Sequence, residues 1–332
     1  MHRPQNLLTA LAATAALTLL LTACGSTGQS SPGGQLSKDE LKGATIGFVP
    51  GVNDPFYISM QCGIEAAAAK HGIRVDTQIP QQFEAAVQTP VVNSVVASHP
   101  DALLVAPTDG QALIPPLRRA TGAGIPVGLV DTTLEDPSLA YTSIATDNVA
   151  AGRQAAETLA DLIGERGSVL VIAFQSGATT SDQRQKGFEE RIADYSGIDY
   201  IGAQVNNNDP ARAASIVAAA LSAHPDLAGV FATNVSAAQG AATGARNAGA
   251  QGKVKIVGFD AGATQVEQLK RGDVQALIAQ QPAQIGRLAV EQTIAQLTGE
   301  DVDAQIGTDT VVVTQDNLDE PNVQRALYRK SC

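Results

Sequence analysis

The chain has 332 residues, 44% of them hydrophobic and 17% charged, with 22 Lys and Arg against 33 Asp and Glu for a formal net charge of −11. Nucleic-acid binding requires a basic footprint, and an acidic balance of this size excludes it. Apolar residues run together at length only near the N-terminus, which excludes a protein that crosses a membrane repeatedly.

In chain order, His2 and Arg3 precede an apolar run over residues 7–21. A run of this length falls short of the roughly 20 residues that span a bilayer and fits the core of a signal peptide, assigned to residues 1–23. Leu21-Thr22-Ala23-Cys24 follows at once and resembles the bacterial lipobox, in which a peptidase cuts before a cysteine that carries lipid. Cys24 is therefore expected to be the acylated N-terminus, and several acyl chains on one residue anchor stably. An ordinary signal peptide with a chance cysteine is the alternative. Cleavage removes Arg3 and leaves 21 basic against 33 acidic residues. Residues 24–43 form the lipidated Cys24 and a Gly-, Ser- and Pro-rich tether whose 18 residues from Gly25 to Lys42 reach roughly 20–25 Å as a coil. These features predict an exported protein on the outer face of the cell membrane, attached through lipid only.

From residue 44 onward, short Val/Ile/Leu runs alternate with longer Ala-rich stretches. The runs at 44–49, 102–105, 125–130, 169–172, 229–231 and 254–257 predict strands, and 63–71, 148–163 and 211–223 predict helices. Near-continuous apolar strands alternating with helices imply a parallel sheet covered on both faces. Ser98-His99-Pro100-Asp101 before one strand is echoed by Ala223-His224-Pro225-Asp226 before another, which suggests two related lobes, each doubly wound. A recurrent helix stop is the simpler reading of His99 and His224.

Open α/β sheets bind ligands beyond the carboxyl ends of their strands. Asp54, Phe56, Tyr57, Asp131, Asn234 and Asp260 all follow predicted strands closely. Each also has a plainer reading. Asp54 before Pro55 suits a helix cap, as does Asp260, while Phe56 and Tyr57 suit a core and Arg184 a solvated face.

The runs Asn53-Asp54-Pro55-Phe56-Tyr57, Ala106-Pro107-Thr108-Asp109, Ile125-Pro126-Val127, Ala145-Thr146-Asp147-Asn148, Gly187-Phe188, Val257-Gly258-Phe259-Asp260 and Ile278-Ala279-Gln280-Gln281-Pro282 together resemble the ribose-binding-protein family of periplasmic sugar receptors, over about residues 44–313. The resemblance implies two lobes joined by three crossings, with 44–147 and 281–311 in the N-terminal lobe. It assigns 148–280 and 312–320 to the C-terminal lobe, leaving 321–332 as a tail. It implies ligand contacts at Asp54, Phe56, Tyr57, Asp131, Arg184, Asn234, Asp260 and Gln280. The chemistry suits a polyhydroxylated solute, because carboxylates accept from neighbouring hydroxyls while Arg and Asn donate in fixed geometry.

The sequence departs from the ribose receptor at Thr132, where that receptor has arginine, at Asn208, where it has an aromatic wall, and at Val235, where it has aspartate. With one aromatic wall replaced by an amide and no Trp in the chain, a small neutral sugar or polyol is expected, and a four- or five-carbon polyol is favoured over ribose. Arg184, Asp131 and Asp260 are expected to serve binding and not folding. No cofactor or metal is expected. The implied partners of this monomer are an ABC permease and its ATPase.

No nucleophile elbow, phosphate loop or metal-ligand spacing supports an enzyme. His2, His71, His99 and His224 lie in the signal or at helix ends, so acid–base chemistry would rest on carboxylates alone. A sugar-responsive repressor core would need a DNA-binding headpiece where the signal stands, and a receptor feeding a membrane sensor is a third reading. Cys62 and Cys332, the thiols left besides Cys24, are expected to pair in an oxidising compartment. Alternatively, Cys62 shares a helical face with Ile58, Ala66 and Ala69 as a small core residue.

Overall fold

The computed structural model describes residues 35–37 and 39–332, so the expected signal peptide and Cys24 lie outside the described residues. The short apolar runs form strands and the Ala-rich stretches helices. In chain order the first half forms β1 (Thr45–Val49), α1 (Pro55–Ala69), β2 (Arg74–Thr77), α2 (Ala85–Ala97), β3 (Ala102–Val105), α3 (Ile114–Gly122), β4 (Val127–Val130) and β5 (Thr142–Thr146). Next come α4 (Asn148–Ile163), β6 (Gly167–Ala173), α5 (Thr179–Ile192), β7 (Ile198–Val205), α6 (Pro210–Ala223), β8 (Leu227–Ala232), α7 (Val235–Asn247), β9 (Lys255–Phe259), α8 (Ala263–Lys270) and β10 (Ala276–Ala279). The chain ends with α9 (Pro282–Thr298), β11 (Gln305–Thr308), β12 (Val311–Val313) and α10 (Pro321–Ala326).

These strands make two six-stranded sheets of one design, ordered β2-β1-β3-β4-β5-β11 and β7-β6-β8-β9-β10-β12. Neighbouring strands are parallel except β10 with β12. The central strands β3, β4 and β10 are buried along their whole length, as strands covered by helices on both faces must be. The repeated His-Pro-Asp has a structural job in each lobe. Asp101 accepts the Thr45 N–H at 2.7 Å, and Asp226 accepts from the Ser168 hydroxyl, so each fixes the start of its lobe's first strand.

The backbone passes between the sheets between β5 and α4, between β10 and α9, and between β11 and β12. Val311 pairs with Ala279 in the second sheet, so the last crossing falls at residues 309–310, earlier than the sequence boundary. The tether is also shorter than expected. Leu36 donates its N–H to Leu297 O at 2.7 Å, Gly43 donates to Gly72 O at 2.9 Å, and Leu41 is 3% exposed, because these two leucines have apolar surface to bury on the first lobe.

Small residues let helices approach closely where the site needs them. A Cβ on Gly152 would strike the Arg184 carbonyl oxygen and one on Gly187 would strike the Val149 carbonyl oxygen, so α4 and α5 cross nearly backbone to backbone. That contact brings the α5 residue Arg184 within reach of Asn148 at the start of α4.

Candidate functional site

Asp54 caps α1, accepting the Tyr57 N–H at 3.0 Å, with Pro55 in the first turn, as the plainer reading of the sequence held. The cap also sets Phe56 and Tyr57 at the cleft end of the helix, their rings edge to face with centroids 5.1 Å apart. Tyr57 donates its hydroxyl to Asp131 Oδ2 at 2.7 Å, while Asp131 Oδ1 is buried with no protein partner.

Arg184 is 3% exposed and anchored on neutral acceptors, donating from Nε to Asn148 Oδ1 and from Nη1 to Thr233 O, both at 2.8 Å. Its guanidinium carbon sits 3.7 Å from the Phe259 ring centroid, a cation–π contact that fixes the plane of the fork. Asp260 Oδ1 accepts from Gln280 Nε2 at 2.7 Å and from the Tyr328 hydroxyl at 2.8 Å, and Oδ2 accepts the Val235 N–H at 3.1 Å. Gln280 in turn accepts from the Thr146 hydroxyl at 2.7 Å. Asn234 caps α7 and donates to Asn208 Oδ1, which also accepts from Ser236, each at 2.7 Å.

Asp54, Phe56, Tyr57, Asp131, Arg184, Asn208, Asn234, Asp260 and Gln280 line one small cavity between the lobes. Every predicted contact except Thr132 lines it. Thr132 is buried beside Asp131 with its hydroxyl unpartnered among the described residues, and it is not one of the residues lining the cavity.

Val52, Phe83, Phe174 and Thr180 also line the cavity and were missed in the sequence. Phe83 and Phe174 meet edge to face across the cleft, centroids 5.7 Å apart. The expectation that the second lobe offers no aromatic wall is therefore corrected, since Phe174 supplies it from the end of β6. The rule that ligands meet strand ends could have found Phe174; nothing in the sequence signals Tyr328. The lips touch as well. Thr133 donates its N–H to Thr179 Oγ1 at 3.0 Å and Gly110 to Gly177 O at 3.3 Å, so the cleft is closed.

Three carboxyl groups share this enclosure with one guanidinium. Burial pushes Asp54 up to about 7, with Asp260 and Asp131 adding to the rise and the Tyr57 N–H opposing it. Burial likewise raises Asp131 to about 6 against the pull of Arg184 and Tyr57. It raises Asp260 despite Arg184 and three hydrogen bonds. Among the described residues, no three His, Cys, Asp or Glu side chains converge to hold a metal ion.

Two similar lobes, closed on a cavity rich in fixed donors and acceptors, define a solute-binding protein. The sequence profile of the periplasmic binding protein domain matches residues 46–301. The ribose import binding protein of Bacillus subtilis is 32% identical over 299 residues, 89% of this chain and 95% of that protein. An ABC transporter solute-binding protein of Agrobacterium vitis, solved with alpha-D-tagatopyranose, is 40% identical with a TM-score of 0.85, over 86% of this chain and all of the other. A second from that organism, solved with D-fucose, is 31% identical with a TM-score of 0.81, also over 86% of this chain and all of the other. The chain belongs to the periplasmic binding protein family.

Proposed function

We propose that this protein is the extracytoplasmic solute-binding component of an ABC importer, capturing a monosaccharide in ring form by lobe closure and presenting it to a membrane permease. The observation that carries this is the cavity itself. Among the described residues Asp131 Oδ1 has no hydrogen-bond partner, Arg184 spends only Nε and Nη1 on the protein, and aromatic rings stand on both sides of the space. Adjacent sugar hydroxyls supply the missing donors and acceptors, and the flat C–H face of a ring packs on the aromatics. The alpha-D-tagatopyranose bound to the Agrobacterium vitis protein supports the same class.

Closure buries the solute, and the closed shape is the form that the permease engages. A lipid on Cys24 would hold the protein at the outer membrane face as a monomer close to that permease and its ATPase. Among the described residues no helix is long and apolar enough to cross a membrane.

Calorimetric titration with D-tagatose, D-fucose, D-ribose, D-xylose, xylitol and erythritol tests the reading. A cyclic sugar should bind most tightly. Tightest binding by an open-chain polyol restores the polyol expectation, and no binding by any of the six refutes the ligand class.

A further inference from the structure

Tyr328, from the C-terminal tail, makes contacts that no other tail residue makes. Its N–H donates to Ala261 O at 3.1 Å, its hydroxyl donates to Asp260 Oδ1 at 2.8 Å, and the same oxygen accepts the Gln280 N–H at 3.2 Å. Its ring lies edge to face against Phe56, centroids 5.8 Å apart. One side chain thus touches the strand-end residues of β9 and β10 in the second lobe and the first turn of α1 in the first.

The residues on either side of Tyr328 belong to different lobes. Before it, α10 packs on β12 of the second sheet. After it, the Arg329 N–H donates to Ser59 Oγ at 2.7 Å, and Cys332 is bonded to Cys62, both partners lying on α1. The tail is therefore a fourth link between the lobes besides the three backbone crossings. Because Gln280 is itself a crossing residue, this link runs beside the hinge, where rotation displaces it least.

A terminal segment of this kind is ordinarily the first to fray. The preceding helix has six residues, and the tail beyond it is held by few hydrogen bonds. Its covalent attachment removes that freedom.

We infer that residues 327–332 are a working part of the solute site: Tyr328 is a positioning residue for Asp260 and Gln280, and the Cys62–Cys332 bond holds it there, so that solute affinity depends on the disulfide. This rests on the reading of the cleft as a sugar site. Without the Tyr328 hydroxyl, Asp260 Oδ1 keeps Gln280 alone, and the carboxylate is held in its cavity-facing pose only by that bond and the Val235 N–H on Oδ2, a weaker grip that lets it turn more readily. Loss of the disulfide removes the hydroxyl, the ring and the lobe-to-lobe link together, and its effect is the larger.

The test uses the full-length protein, its Tyr328→Phe variant, the double variant Cys62→Ser/Cys332→Ser, and the reduced wild type. Affinities for D-tagatose, D-ribose and xylitol are read by calorimetry, and hydrogen exchange of the Val235 amide is read without solute, because that N–H is held by Asp260 Oδ2. Tyr328→Phe should weaken sugar binding about tenfold, speed Val235 exchange and lower the ligand-free melting temperature modestly, because Asp260 Oδ1 loses a buried donor and the Gln280 N–H its acceptor. The double variant and the reduced protein should show a larger loss of both. Unchanged affinity and unchanged Val235 exchange in all three overturn the inference. If the wild type binds none of the three solutes, the sugar reading fails while the Val235 exchange still decides whether the tail positions Asp260.

Discussion

Asp131 and Asp260 hold the same place in the two lobes. Each is the first residue beyond the fourth strand of its lobe, each has a left-handed backbone with φ of +63° and +77°, and each donates its N–H to the neighbouring strand, Asp131 to Ile144 O at 2.8 Å and Asp260 to Ile278 O at 2.9 Å. The two turns aim both carboxylates into the space beside Arg184. Non-glycine residues in this backbone region are uncommon outside Asn and Asp, and such strain gathers where function requires it.

The shared turn gives a prediction that separates backbone from charge. Asparagine tolerates a left-handed backbone nearly as well as aspartate, whereas alanine there loses about 1–2 kcal/mol. Asp131→Asn should abolish measurable sugar binding with little change in the ligand-free melting temperature, and Asp131→Ala should abolish it while also lowering that temperature. Scanning fluorimetry with and without D-tagatose reads both. Equal melting temperatures for the two variants would remove the role given to the turn.

Arg184 carries a cost in stability that the sequence did not suggest. It is buried, and its removal leaves Asn148 Oδ1, Thr233 O and two nearby carboxylates without their donor or cation. Arg184→Ala should therefore lose binding and also destabilise the ligand-free protein by about 1–3 kcal/mol, in place of the unchanged stability expected from the sequence. Urea denaturation measures it. A midpoint equal to that of the wild type would mean that Arg184 is solvated in the free protein.

Both lobes and most of the cavity were legible because the signals were local. Strands ended in Asp131, Asn234 and Asp260, and a Pro-led helix start carried Phe56 and Tyr57. What escaped depended on distance. Phe83 sits on the connection after β2, an edge strand too polar to read as one, and Phe174 looked like an ordinary strand end. Tyr328 lies 68 residues beyond its partner Asp260, and only the folded tail brings them together. Thr132 shows the limit of adjacency, because it follows Asp131 in sequence without lining the cavity.

The buried carboxyls make closure depend on pH. In the closed form Asp54 is raised to about 7 and Asp131 to about 6, above the ordinary 3.8 that holds when they are solvated. A raised acid binds its proton more tightly in the closed form, so protonation favours closure. This stabilisation is fully present below about 3.8 and is lost as pH rises through 6 and 7. Ligand-free protein labelled on both lobes should therefore show a larger closed fraction at pH 5 than at pH 8 in a distance measurement by electron spin resonance. A closed fraction that stays level or rises with pH contradicts the assignment.

Cys24 is expected to carry the anchor. Cys24→Ser should release the protein from the membrane fraction into the soluble one, and mass analysis of the native protein should find its N-terminus at an acylated Cys24. An unmodified N-terminus at another residue rules this out. Cys62 and Cys332 should be silent to thiol reagents in the same preparation, unfolded without reductant, as bonded sulfurs are.

The choice between ring and open chain turns on Phe174. It meets Phe83 edge to face, lies 5.9 Å from the Arg184 guanidinium carbon, and holds the Asn208 N–H on its own carbonyl at 2.8 Å, so its ring has a fixed place in the cavity wall. A flat ring packs on the C–H face of a pyranose, while an acyclic polyol has no such face and gains only from apolar bulk. Leucine retains most of the bulk and loses the plane. Phe174→Leu should therefore weaken D-tagatose binding about 3–10-fold, the loss of an oriented aromatic contact worth about 0.5–1.5 kcal/mol, and leave xylitol binding within about twofold of the wild type. The fold should hold, because the exchange keeps an apolar side chain of similar volume. Parallel calorimetric titrations of the wild type and Phe174→Leu with both solutes decide it. An equal loss for the two solutes would show that Phe174 supplies bulk alone, and a greater loss for xylitol would return the site to the polyols.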